Sequence, residues 1–170
     1  MKRILVCLAL LVIAYPGALA QTRRRTAARP SPTTTARKSE AVRAGAARVA
    51  DQLKTLTRFI YLLGGVAKGI EAADAAAQRN DASPAVVEQT QRSKATVRTS
   101  LRNVREGLDK LELDFRSNPE LNRYYIRLAG VASGAAKAED LAAANQFDQA
   151  GRSLLEVVNR LTDVLLEMMK

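Results

Sequence analysis

Apolar side chains recur at intervals of three and four residues along almost the whole chain beyond Ser39, and no other feature restricts the possible folds so strongly. Val42, Ala46, Val49, Leu53, Leu56, Ile60, Leu63, Ala67 and Ile70 alternate steps of four and three. That rhythm draws one apolar stripe along one side of an α-helix, in a heptad frame. With Ser39 as its N-cap, and the frame continuing through Asp74 to Ala77, it predicts a helix of about 40 residues, near 60 Å long if unbroken. Gly64, Gly65 and Gly69 interrupt it, marking either a bend or a place where a neighbour comes close.

A second seam runs through Val87, Thr90, Lys94, Val97, Leu101, Val104, Leu108, Leu111 and Phe115. The turn before it, residues 79–84, ends in Ser83-Pro84, an N-cap followed by a proline whose missing N–H costs nothing at the first helical position. Residues 116–120 form the next break, with Ser117 and Glu120 as a capping box or Asn118 as a cap ahead of Pro119. A third helix carries Leu121, Tyr125, Leu128, Ala132 and Ala135. The fourth, capped by Asn145, carries Phe147, Ala150, Leu154, Val157, Leu161, Val164 and Met168, with Leu155, Val158 and Leu165 widening its apolar face.

Short turns between amphipathic helices make antiparallel neighbours. The expected fold is all-α: an up-down antiparallel four-helix bundle over residues 39–170 with a long first hairpin. That hairpin either projects past the bundle or folds back at Gly64-Gly65. An extended dimeric coiled coil is the competing architecture. The stretch "LAAANQFDQAGRSLLEVV" has the look of a tetratricopeptide hairpin, but no second copy or 34-residue period accompanies it.

The chain begins differently. Lys2 and Arg3 precede the apolar run "ILVCLALLVIAY", then Pro16-Gly17, then Ala18-Leu19-Ala20. This is the order of a secretory signal peptide, residues 1–20, with cleavage expected before Gln21. The run is short for a membrane span, which takes roughly 20 residues; an uncleaved signal anchor is the other reading. Cleavage removes Cys7, the one cysteine, and lowers the net charge of +10 by two. Residues 21–38, "QTRRRTAARPSPTTTARK", hold six basic residues and no acid. Nothing there larger than alanine is apolar, so the segment is expected to be a disordered basic tail. From residue 39 onward 19 basic residues face 17 acidic ones, so most of the positive charge belongs to the tail.

Composition also limits the chemistry. The sequence has no histidine, and cysteine only in the leader. That removes the usual zinc ligands, haem attachment and paired nucleophiles, and the stretch "GGVAKG" is not a phosphate loop. No enzyme activity, cofactor or metal is expected. The acidic pairs Glu139-Asp140 and Glu112/Asp114 read as solvated charges, and the aromatics Phe59, Tyr61, Phe115, Tyr124, Tyr125 and Phe147 as core and end plugs.

Two groups of residues are candidates for function. The tail cations Arg23, Arg24, Arg25, Arg29, Arg37 and Lys38, with the stripe Lys94, Arg98, Arg102 and Arg105, are candidate anion-binding residues. The stripe either holds phosphates or an anionic polymer, or is neutralised by another helix. Asp74 and Lys94 break the two long seams at matching depth. They are a candidate polar pair fixing register, unless the seam is wet there. The function expected is binding without catalysis, in a secreted or periplasmic monomer or homodimer, with an anionic envelope surface or acidic protein as partner. No specific nucleic-acid binding and no membrane span after cleavage are expected. The alternative is a small-molecule or sensor bundle, which needs an interior apolar cavity of roughly 300 Å³ or more.

Overall fold

The computed structural model describes residues 34–170, all helical or in short turns. The leader and Arg23, Arg24, Arg25 and Arg29 lie outside them. Five helices follow one another: α1 Thr34–Gln78, α2 Pro84–Ser117, α3 Asn122–Leu128, α4 Val131–Ala143 and α5 Phe147–Met168. The last three make two rods, because α3 and α4 are successive parts of one. The result is an up-down four-helix bundle. Its neighbours run in a ring: α1 packs on α2, α2 on α4, α4 on α5 and α5 on α1.

Burial follows the seams. On α2 every seam residue from Thr90 to Phe115 is buried; Val87, one turn earlier, is exposed. Leu56 of α1, Leu101 and Leu108 of α2, Leu128 of α3 and Leu154 and Leu161 of α5 have no exposed surface. At about 25 cal/mol per Å² of apolar surface withdrawn from water, such residues are the main source of stability. On α5, Leu155 is half exposed, so its buried face is narrower than its apolar residues suggest.

Three local expectations are corrected. α1 starts at Thr34, five residues inside the segment expected to be disordered, and Ser39 is not its cap. The Ser39 hydroxyl donates back to the Ala36 carbonyl within the helix, 2.9 Å away. Alanine, arginine and lysine are good helix formers, so the packed helix extends outward through Ala36, Arg37 and Lys38. The third rod is broken at Ala129-Gly130, where Gly130 takes φ +92°, a backbone conformation that costs glycine little. Tyr124, between Leu121 and Leu128, is the buried tyrosine, and Tyr125 packs against the core only in part. Finally, Asn145 caps nothing with its side chain; it occupies the left-handed region at φ 61° and its amide oxygen serves Arg98.

Ser83 caps α2 as the residues predict, whereas α3 begins after Leu121 with no side-chain cap, and Asn118 ends α2. Ser83 Oγ accepts from the Val86 amide at 3.4 Å. Asn118 Oδ1 accepts from the Glu120 amide at 3.0 Å, whereas the Ser117 hydroxyl donates to the Asp114 carbonyl.

The long hairpin projects. α1 is continuous through Gly64 and Gly65. Gly151 of α5 lies against Leu63, so α5 begins close to the level of Ala67. Past Ala67, α1 runs on to Gln78, and α2 begins well before Arg98, which marks the end of α4. At the opposite end the space beside Gly45 is filled by Leu121 and Met168 and Val42 still packs against the core, so it is the part of α1 before residue 41 that stands out, with residues 36–40 exposed. Among the described residues no helix is long and apolar enough to cross a membrane.

Candidate functional site

The α2 stripe lies where α2 meets its neighbours, and each member has an internal partner. The Lys94 ammonium lies 2.8 and 2.7 Å from the two carboxylate oxygens of Asp74 on α1. Only 6% of Lys94 is exposed. A buried ammonium without a counter-charge is strongly unfavourable, so Asp74 is what makes its position tenable.

Arg98 reaches the end of α4. Its guanidinium donates to the carbonyls of Ala142 and Ala143 and to Asn145 Oδ1, at 3.2–3.4 Å. The last carbonyls of a helix lack partners and carry partial negative charge, which a cation offsets. Arg102 and Arg105 hold the two oxygens of Glu139 on α4, at 3.2 and 2.9 Å. Of the two readings offered for this stripe, the geometry is that of neutralisation by another helix. Its four cations fix α2 against α1 and α4.

The acidic residues are correspondingly less solvated than expected. Glu139 is the shared acceptor of two arginines, and Asp114 pairs with Arg48 of α1 at 2.8 Å. Glu112 Oε1 accepts the amides of Gly130 and Ala132, at 3.0 and 2.8 Å. It thereby places a carboxylate at the positive start of α4, an arrangement stabilising in itself. Its partners lie 18 and 20 residues away along the chain, so no local spacing announces them. Of the aromatics, Phe115, Tyr124 and Phe147 are buried, but Tyr61 is 82% exposed and plugs nothing.

Exposed cations without an ion pair among the described residues occur along the bundle, Arg58, Lys68, Lys110 and Lys137 among them, and five more share one end. Arg37, Lys38 and Arg43 near the start of α1, Arg116 at the end of α2, and Lys170 are all exposed. None of them forms an ion pair among the described residues. The contact of Gly45 with Leu121 and Met168 places these helix ends at one end of the bundle. Of the acids near them in the chain, Asp114 and Glu167 are held by Arg48 and Arg127, which leaves Glu40 and Glu120. This end therefore carries a surplus of positive charge, and in the sequence a basic segment precedes Thr34. The far end is balanced by comparison: Arg79 pairs with Asp81, Arg92 with Glu88, Arg152 with Asp148 and Lys94 with Asp74.

The hollows of about 500, 350 and 340 Å³ are open grooves on the surface with charged walls. Lys137, Asp148, Arg152 and Glu156 line the first, between α4 and α5. A hollow of about 50 Å³ beside Gly134 and Val157 is small for any organic ligand. Among the described residues no cluster of three or more metal-ligating side chains occurs. No protein-family model matches the chain, and neither a characterised protein nor a solved structure matches it.

Proposed function

We propose that the protein is an exported, non-enzymatic helical bundle that binds an anionic envelope surface or an acidic partner through the basic end of α1 and the segment preceding it. One observation supports this reading: Arg37, Lys38, Arg43, Arg116 and Lys170, exposed and without an ion pair among the described residues, share the end of the bundle where α1 starts, and Arg23, Arg24, Arg25 and Arg29 precede α1 in the sequence, while the α2 stripe is engaged within the fold. A cation already held in a buried or shared ion pair gains little from a second anion. Exposed cations offer their charge at no internal cost. Export, to the periplasm or outside the cell, rests on the signal-peptide features of residues 1–20. The small-molecule reading is not favoured, because the roomy hollows are open grooves on the surface and not an enclosed interior cavity.

Such binding is electrostatic. It is worth at most about 1 kcal/mol per basic residue near an anionic membrane and weakens as salt shortens the Debye length. The test compares three proteins on vesicles with and without anionic lipid: the processed chain, a deletion of residues 21–33, and the variant Arg37→Gln/Lys38→Gln/Arg43→Gln. Both alterations should weaken binding to anionic vesicles at low salt and leave helicity unchanged. Undiminished binding in both, with loss on neutralising Arg102 and Arg105, would overturn the reading in favour of the α2 stripe.

A further inference from the structure

Three large apolar side chains left open to solvent lie within six residues of α1: Tyr61 is 82% exposed, Leu62 57% and Val66 39%. With successive residues turned by about 100°, Tyr61, Leu62, Gly65 and Gly69 occupy the side of α1 away from Leu56, Leu63, Ala67 and Ile70, which are buried in the bundle. A Cβ at Gly64, Gly65 or Gly69 would meet no other atom. The helix is continuous across all three. They therefore mark neither a bend nor a close approach within the chain, although glycine in an exposed helix interior is destabilising relative to alanine.

We propose that this face of α1 seats a second copy of the chain, packed antiparallel about a two-fold axis at Gly65. A two-fold contact joins one patch to itself, so it needs projections and hollows on the same surface. This patch has both. About such an axis, residues equally far before and after Gly65 come side by side. Tyr61 then falls over the partner's Gly69, and Leu62 lies along the aliphatic stem of the partner's Lys68. Gly65 meets its own copy, where the absence of a side chain lets the backbones approach.

Charge selects the same occupant and the same direction. In the antiparallel register Arg58 faces the partner's Ala72, Lys54 faces the partner's Ala76, and Asp51 faces the partner's Arg79. No like charges oppose one another. A parallel pairing would set Lys54, Arg58 and Lys68 each against its own copy, which is unfavourable. The face is thus complementary to itself in shape and charge, and in one direction only.

Sedimentation equilibrium of the chain as its own host processes it, from about 1 to 100 μM, tests this directly. A reversible monomer–dimer equilibrium is expected. Gly69→Leu fills the hollow under the partner's Tyr61 and should weaken the dimer at least about tenfold. It should also raise the melting temperature of the monomer, since the new side chain meets nothing there and leucine favours the helix. That combination separates loss of the interface from loss of the fold. Gly64→Ala, off the seam, should raise the melting temperature and leave the dimer intact. Asp51→Arg should weaken association, and adding Arg79→Asp should restore it. A chain that stays monomeric throughout, a dimer indifferent to Gly69→Leu, or no rescue by the charge exchange would each overturn the proposal.

Discussion

The side chains of Lys94 and Asp74, 20 residues apart on opposite arms of the long hairpin, meet with the ammonium held by both carboxylate oxygens. The lysine is buried, whereas 38% of the aspartate side chain is exposed. Removing the aspartate is therefore the more damaging change, because it strands a charge. Asp74→Ala should cost about 1–3 kcal/mol, below the figure for a fully buried pair because solvent screens the carboxylate. Lys94→Met should cost less, since the methionine keeps the packing without the charge. Urea denaturation of both single variants and the double variant gives the coupling directly; a coupling of zero would show that the pair fixes nothing.

Glu112 holds the start of α4 to α2 through two backbone amides. Glu112→Ala leaves both without an acceptor and should cost about 1–3 kcal/mol. Glu112→Gln keeps an acceptor oxygen and should cost less. Hydrogen exchange at Gly130 and Ala132 should accelerate in the alanine variant well before global unfolding. Unchanged protection there would mean that water replaces the carboxylate without loss.

Gly134 faces α5 at a distance that excludes a side chain: a Cβ there would stand 2.6 Å from Val157 Cγ2. Gly134→Ala should destabilise by about 1–3 kcal/mol through overpacking. Adding Val157→Ala opens the space, so the double variant should be more stable than the sum of the single changes predicts. Simple additivity would show that the helices part freely at this level.

The core itself is tested by contrast. Leu101→Ala and Leu161→Ala, both at sites with no exposed surface, should each cost about 2–5 kcal/mol in thermal or urea unfolding. Leu113→Ala and Leu166→Ala, at sites more than half exposed, should stay within about 0.5 kcal/mol of the parent. Equal losses in the two pairs would mean that the seams are misassigned.

What could be read from the residues alone was whatever repeats locally. The α2 seam is buried from Thr90 to Phe115 as its spacing predicts, because a stripe on a helix is a property of neighbouring residues. The break at Ala129-Gly130 escaped notice because Leu121, Leu128, Ala132 and Ala135 keep an apolar frame across it; Gly130 was the available sign. The start of α1 was misplaced because Ser39 has a second option, bonding back to Ala36, that composition does not reveal. The partners of the α2 stripe were beyond reach for a different reason. Arg98, Arg102 and Arg105 find theirs 34 to 47 residues away. Spacing along one helix does not say which helix lies opposite.

The length of α1 has a mechanical consequence. Its 45 residues make a rod of about 68 Å that stands out alone at its start and, paired with α2, runs past α4 and α5 at its far end. If the end near Arg37 and Lys38 is the foothold, the turn at Asp81 is the tip of a lever. A tilt of about ten degrees at the foothold carries that tip through about 12 Å, more than the width of a helix. A slight change in how the molecule stands would thus become a large change in where its far end points.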